Sequence, residues 1–161
     1  MLFRSLTRKA AQVVYEIWGE QGGAESEEQY MEIYRLGKMA QIEKICIPVG
    51  TALRNTWKEE GRYREAIPIE HTMLEMRTRV LGQEHPKVIT SLNNLACLYE
   101  FQGRLGEAEP LYVESLEMTK RLGRQEHPAM ATCLSNLAHL YVAQGRYGKA
   151  EPLYVQSLET T

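Results

Sequence analysis

The strongest constraint on this chain is an internal repeat with a period of 42 residues. The phrase QGRLGEAEPLYVESLE at residues 102–117 returns as QGRYGKAEPLYVQSLE at residues 144–159, with no gap needed to align the copies. A weaker third copy lies another 42 residues upstream, where the turn Gly61-Arg62-Tyr63 is preserved. Repeats with periods of roughly 20 to 50 residues are typical of solenoids and related arrays, in which each unit packs on its neighbours.

Each unit has the pattern of two antiparallel helices, helix A and helix B. Apolar residues recur at three- and four-residue steps over about 87–102 and again over about 105–121. Gly103 lies between these stripes and supplies the left-handed backbone that commonly ends a helix. Pro110 and Pro152 would lie at the border of the first turn of helix B, where a missing N–H costs least. The sequence therefore predicts an all-α fold of stacked helical hairpins.

The connectors between units are LGQEHPKV at 81–88 and LGRQEHPAM at 122–130. Pro86 and Pro128 suit the first turn of the next helix A, with His85 and His127 at the cap. These histidines are one repeat apart, and neither has a neighbouring cysteine or histidine in the sequence. We therefore interpret both as parts of structural linkers and predict no metal site.

The repeated residues resemble the tetratricopeptide repeat, whose pattern is W-x2-L-G-x2-Y, then A-x3-F, then P. In the two good copies, the corresponding residues are Leu92, Leu95, Ala96, Tyr99, Ala108 and Tyr112, then Leu134, Leu137, Ala138, Tyr141, Ala150 and Tyr154. The period of 42 is longer than the common 34 and is similar to the subclass found in kinesin light chains and in bacterial regulatory proteins. The resemblance implies a right-handed α-solenoid.

The quality of the repeat divides the chain into four segments. Residues 87–128 and 129–161 are good repeats, the second ending within helix B. Residues 47–86 form a degenerate repeat, because Arg54 replaces a small residue of helix A and Glu70 stands where helix B should have an aromatic residue. Residues 1–46 are helical in composition, and a decayed repeat and a different helical pair remain open for them.

Composition narrows the classes of partner. No apolar run approaches the roughly 18 residues of a spanning helix, and a net charge of -2 offers no overall field for nucleic acid or anionic lipid. All 21 acidic residues are glutamates, which excludes Asp-rich calcium loops and a catalytic aspartate. Three cysteines cannot all pair within the chain, so we expect reduced thiols and a cytoplasmic location. We predict neither nucleic-acid nor membrane binding, and no cofactor.

One enzyme-like pair can be built from the repeat. Cys97 and His139 occupy equivalent positions of neighbouring repeats, so stacking could bring them together as a nucleophile and a base. No third residue that would orient the pair is evident, and groove lining explains both positions. The prediction is therefore that the chain is not an enzyme.

The resemblance also implies a binding groove, because helix A lines the inner face of the family's superhelix. Carried over by position, the groove residues are Asn55 in the degenerate copy, Thr90, Asn93, Asn94, Cys97 and Phe101 in the next, and Thr132, Ser135, Asn136 and His139 in the last. Asn94 and Asn136 matter most, since an amide can accept from and donate to a peptide backbone at once. An equally weighted alternative is that such asparagines only bridge adjacent helices. Helix A of the two good repeats contains no arginine, which argues against a clamp for a terminal carboxylate.

The expected function is therefore that of a protein-interaction module, an adaptor or scaffold that binds a peptide or partner protein in the groove. The alternative is a sensor or regulatory array within a larger signalling protein, or a self-assembling piece of one. Leu153 and Leu158 of the last helix B should remain partly uncovered, which suggests association between copies of the chain.

Overall fold

The structure, a computed structural model, describes residues 26–123 and 128–160, which form helices joined by short turns without a strand. The helices in these two ranges are α1 Glu27–Ala40, α2 Glu43–Glu59, α3 Tyr63–Leu81, α4 Pro86–Phe101, α5 Leu105–Arg121, α6 Pro128–Ala143 and α7 Tyr147–Glu159. The predicted all-α fold is confirmed. The predicted cap residue His127 and most of the uncertain segment 1–46 lie outside the described residues.

The helix termini follow the local signals in the sequence. α4 begins at Pro86, and the Nδ1 atom of its cap residue His85 accepts a hydrogen bond from the backbone N–H of Lys87 at 3.1 Å. α5 begins at Leu105, as the apolar stripe predicts. α2 begins at Glu43, four residues before the predicted start of the degenerate repeat.

Four helices contain a proline at the same place. Pro48, Pro68, Pro110 and Pro152 are each the sixth residue of α2, α3, α5 and α7. A proline there removes one hydrogen bond, that to the carbonyl four residues earlier. In α5 and α7 the earlier residue is a glycine, so no side chain adds to the crowding of the ring. The helices continue unbroken, and in α3, α5 and α7 the proline marks the start of a helix B, whereas Pro48 lies in α2, a helix A.

The turn between helix A and helix B is built in the same way three times. A glycine with a φ of 72 to 76° reverses the chain, and the arginine after it donates its backbone N–H to the carbonyl of an aromatic residue in helix A. The arginine guanidinium then stacks on the ring of that aromatic residue at 4.5 to 5.0 Å from the ring centre. The pairs are Arg62 on Trp57, Arg104 on Tyr99 and Arg146 on Tyr141. These arginines therefore stabilise the turn, a role that the repeat pattern alone did not indicate.

The chain divides into two compact units, residues 1–69 and 70–161. In the first unit, α1 packs closely on α2 at Gly37, where an added Cβ would lie 3.0 Å from the Sγ atom of Cys46 and from a methyl group of Ile45. Arg62 forms an ion pair with Glu27 at 2.7 Å, and this hydrogen-bonded contact lowers the pKa of Glu27. The small residue thus permits the contact of the two helices, and the ion pair joins the start of α1 to the end of α2.

The second unit contains the two good hairpins, α4–α5 and α6–α7. Its core runs without interruption through α4, α5 and α6, and α5 lies between the two helices A. Tyr112 and Leu116 of α5 are buried because α6 covers them. By contrast, Leu158 of α7, which corresponds to Leu116, is 79% exposed, whereas Leu116 is 6% exposed. The face of α7 that corresponds to the covered face of α5 therefore remains uncovered, as expected for Leu158.

The degenerate helix B contains a buried ion pair in place of the usual aromatic residue. Glu70 is completely buried and lies 3.8 Å from Arg77, whose guanidinium also donates to the Ser91 hydroxyl of α4. Glu70 and Arg77 correspond to Tyr112 and Thr119 of the next repeat. Removing one partner of a buried pair leaves an uncompensated charge, which costs more than the pair itself contributes.

We expect Glu70→Ala and Arg77→Ala each to lower the free energy of unfolding by about 3 to 5 kcal/mol, because each leaves the other charge buried. The double substitution should cost clearly less than the sum of the two. Urea unfolding of the four proteins measures this coupling. Additive effects would show that the two side chains do not interact in the folded state.

Candidate functional site

Helices α4 and α6 are neighbours in the second unit and carry most of the predicted groove residues. We use the term α4–α6 face for the surface formed by Asn94, Cys97 and Phe101 of α4 with Asn136 and His139 of α6. The first three follow three- and four-residue steps, and the last two are three residues apart. Phe101 is 55% exposed at the turn end of α4. Thr90 and Thr132 are exposed one turn earlier, and their hydroxyls donate within their own helices to Pro86 and Pro128.

Asn93 uses its amide inside the protein. Its Nδ2 donates to the Ile89 carbonyl at 3.1 Å and lies 3.4 Å from the Cys133 sulfur, while its Oδ1 accepts from Asn136 at 3.3 Å. The Ser115 hydroxyl of α5 lies 3.3 Å from the same Oδ1. Asn93 thus joins three helices, the bridging role that was the alternative to ligand contact.

The next repeat places a smaller version of this bridge at the same position. Ser135, which corresponds to Asn93, lies 2.8 Å from the hydroxyl of Ser157 in α7, and Ser157 donates to the Ala131 carbonyl at 3.0 Å. The hydroxyl of Ser135 is therefore directed toward helix B of its own hairpin. Ser135 stays a predicted groove residue, and its hydroxyl contacts the interface between the two helices of the hairpin.

Asn94 and Asn136 differ from Asn93 because their side-chain amides keep hydrogen-bonding groups that no described residue uses. Asn136 donates from Nδ2 to Asn93, and its Oδ1 accepts no hydrogen bond from any described residue. Asn94 is half-buried, and within the described ranges its amide forms no hydrogen bond at all. A half-buried amide with both functions unused can pair with a peptide group. Asn55 of the first unit is exposed on α2.

His139 pairs with a carboxylate and not with the thiol suggested by the repeat. Its Nδ1 lies 2.6 Å from Oε1 of Glu100, whose Oε2 accepts a hydrogen bond from the Tyr112 hydroxyl at 2.9 Å. Burial, reinforced by the neighbouring Cys97 and Glu100, raises the pKa of Tyr112, so that hydroxyl stays protonated and donates. The Cys97–His139 pair that stacking could have formed is therefore not observed, and a Glu100–His139 pair is found instead, because a carboxylate is the stronger partner for an imidazole N–H.

Glu100 is the residue that the repeat pattern did not single out as a partner of His139. One signal was present, since the next copy has Val142 at the position of Glu100, which breaks an otherwise close match. A similar bridge links α5 to the following turn, where Glu109 accepts from Gln144 at 3.1 Å and from Arg146 at 2.8 Å. The hydrogen bond from Arg146 lowers the pKa of Glu109. Polar contacts between repeats are thus formed at Glu100, which differs between the two good copies, and also at Glu109, Gln144 and Arg146, which the copies share.

Within residues 26–123 and 128–160, no group of three or more histidine, cysteine or acidic side chains could hold a metal ion. In the same ranges, no helix is both long and apolar enough to cross a membrane.

The fold and the sequence together place the chain in a family. Residues 58–121 and 102–161 match the sequence profile of the tetratricopeptide repeat. The chain belongs to the tetratricopeptide repeat family. Domains of this family bind proteins or peptides, so the chain is a protein-interaction repeat module. Among curated protein sequences, no relative of the chain was found.

Solved structures confirm the α-solenoid. BtubC (BKLC) from P. vanneervenii is 21% identical and superposes with a TM-score of 0.73 over 99% of this chain, which spans 63% of the length of BtubC. A Podosopora anserina protein with nearly identical TPR-like repeats, assigned as a kinesin light chain, is 19% identical with a TM-score of 0.63 over 96% of this chain and 86% of its own. MamA MSR-1 is 15% identical with a TM-score of 0.54, over 97% and 87%. At these identities the likeness concerns the fold alone.

The neighbouring residues Asn93 and Asn94 provide a matched comparison. Asn93→Ala should lower the free energy of unfolding by about 1 to 3 kcal/mol, because the partners of its amide lose their hydrogen bonds in a half-buried site. Asn94→Ala should leave stability nearly unchanged, because no hydrogen bond is lost. Urea unfolding of both variants tests the difference, and equal losses would contradict the bridging role of Asn93.

Proposed function

We propose that the protein binds an extended peptide, or a segment of a partner protein, along the α4–α6 face, and that it serves as an adaptor or scaffold. The observation that carries this proposal is Asn94, whose half-buried amide has unused donor and acceptor functions and lies about two helical turns from the exposed ring of Phe101 on α4. An amide reads main chain with little dependence on sequence, while a ring offers contact for an apolar side chain.

The α4–α6 face lacks a lysine or arginine that could pair with the terminal carboxylate of a peptide. α4 contains Lys87 at its start and no arginine, and α6 contains neither lysine nor arginine. The turn arginines are already engaged, Arg104 with Glu107 and Tyr99 and Arg146 with Glu109. A carboxylate would therefore meet no cation on the face, whereas main-chain groups would meet amides.

A cytoplasmic location forms part of the same proposal. The three cysteines are all unpaired, and Cys46 and Cys133 are buried as thiols. Unpaired buried thiols suit a reducing compartment.

A random peptide library panned against the immobilised protein tests the binding proposal. Peptides retained by the wild type should bind Asn94→Ala about tenfold more weakly, because two hydrogen bonds to the peptide group are lost. The matched control is Gln156→Ala, which removes an exposed amide from helix B and should leave affinity unchanged. Titration calorimetry measures the affinities, and thermal unfolding confirms that both variants are folded.

Two results would contradict the proposal. Retention of no peptide by the folded wild type would argue against peptide binding in general. Equal affinity of the retained peptides for the wild type and for Asn94→Ala would move the binding site away from the α4–α6 face.

A second candidate function, self-association, is favoured by the uncovered face of α7. Tyr147, Val155 and Leu158 are more than half exposed, and Tyr154 lies beside them on the same face. Of the corresponding residues of α5, Tyr112 and Leu116 are buried and the other two are partly buried against the core, so this face has the composition of an interface between helices. We propose that a second copy of the chain covers it.

Light scattering over a range of concentrations tests this association. The wild type should increase in mass with concentration, and Leu158→Glu should remain a monomer because it places a charge in the apolar face. Glu117→Gln, on the exposed side of α5, is the control and should behave like the wild type. A wild type that stays monomeric at the highest concentration would exclude a second copy as the partner of α7.

A further inference from the structure

The hydrogen bonds of Glu100 fix the orientation of His139. Glu100 lies on α4 with a side chain only 12% exposed, and its two oxygens are engaged by different helices, Oε2 by the Tyr112 hydroxyl of α5 and Oε1 by His139 of α6. The His139 side chain is 70% exposed. A nearly buried carboxylate thus holds an imidazole that itself faces solvent.

This arrangement determines which nitrogen of His139 carries the proton. A glutamate carboxylate at neutral pH only accepts hydrogen bonds, so the Nδ1 atom of His139 must donate to it. In the neutral ring, Nε2 then has a lone pair and acts as an acceptor.

We propose that the α4–α6 face recognises a nitrogen donor of its ligand, a main-chain N–H or an amine, through Nε2 of His139 held by Glu100, and that acidification abolishes this contact. The inference rests on the proposed function, since it specifies the chemistry of the same face. Glu100 acts as a positioning residue and does not touch the ligand.

The groups around His139 favour a donor over an acidic ligand. From α4 the ionisable side chains are Glu100 and Cys97, and from α5 Tyr112 reaches Glu100. The cations of the following turn and α7, Arg146 and Lys149, lie over the ring of Tyr141, at 4.5 and 5.6 Å from its centre. The only full charge described in contact with His139 is therefore negative, and the unused Oδ1 of Asn136, one turn earlier on α6, adds a second acceptor.

The arrangement belongs to one junction and not to the repeat in general. The equivalents of His139 are Cys97 and Asn55, and those of Glu100 are Val142 and Lys58. Neither of the other copies can therefore form a carboxylate–imidazole pair at these positions. The junction of α4 with α6 differs in chemistry from the otherwise similar repeats, as expected for a contact that selects a ligand.

The first test needs no ligand. Nitrogen NMR of the full chain should show His139 at neutral pH with the proton on Nδ1. In Glu100→Gln, the buried Tyr112 hydroxyl should retain the amide oxygen as its acceptor, so the amide N–H₂ faces Nδ1 and the ring proton moves to Nε2. A wild-type His139 with its proton on Nε2 would overturn the assignment. A substitution of Glu100 that leaves the tautomer unchanged would show that Glu100 does not position the ring.

The second test uses peptides selected at neutral pH from the random library. Their affinity for the wild type should fall about fivefold between about pH 8 and about pH 5, because an imidazolium cannot accept a hydrogen bond. His139→Asn, which has the residue found in the degenerate repeat, keeps an acceptor and should bind with little dependence on pH. Glu100→Gln should bind the peptides about fivefold more weakly at neutral pH, because Nε2 of His139 would carry the proton in that variant and could not accept a hydrogen bond.

These outcomes separate the inference from the proposed function. Peptides that depend on Asn94 but bind equally at both pH values would overturn the role of His139 and leave groove binding intact. Peptides that bind more tightly at low pH would indicate an acidic ligand and also overturn it. Thermal unfolding at both pH values checks that each variant remains folded.

Discussion

The burial of helix B under the helix A of the next repeat is the interaction on which the second unit depends. α5 alone cannot bury Tyr112 and Leu116, and it does so only because α6 lies on its outer face. Burial of such side chains contributes about 1.5 to 3 kcal/mol each, so α6 adds to the stability of the α4–α5 hairpin. The alignment of α4 with α6 and the surface they share follow from this packing, because the same pattern recurs after 42 residues. The α4–α6 face is thus a product of stacking and not of any single hairpin.

The helices could be predicted from the sequence because their signals are local. The positions of Pro86 and Leu105 follow from apolar periodicity, a glycine turn and proline at the helix start, all within a few residues of the helix end. The contacts of the candidate site are different in kind. Asn93 and Asn94 are adjacent, and a rotation of about 100° per residue directs one toward α5 and leaves the other unpaired. The angle and offset between the packed helices decide which of the two asparagines contacts α5. No local sequence pattern determines that angle or that offset.

The same reason explains why the partner of His139 was not predicted. Equivalence by repeat paired it with Cys97, whereas the offset between α4 and α6 places it on Glu100, three residues farther along α4. A repeat alignment relates positions by symmetry, but contacts across a junction relate residues that are not equivalent. The turn arginines show the converse case, since Arg104 and Arg146 contact the aromatic residue five positions earlier and the contact recurs with the repeat.

The buried Glu70–Arg77 pair has a consequence for how the chain folds to a single arrangement. Nearly identical repeats can exchange neighbours during folding, because a helix B accepts any helix A of the same pattern. The hydroxyl of Ser91 in α4 accepts a hydrogen bond from the guanidinium of Arg77. The corresponding residue of α6 is Cys133, whose thiol contacts Asn93, Ser115 and Thr119. Packing α6 on α3 would bring a weakly polar thiol to a buried guanidinium and would lose that hydrogen bond. The Glu70–Arg77 pair, which replaces the usual residues of helix B in this repeat, therefore also favours the packing of α4 on α3 over the packing of α6 on α3.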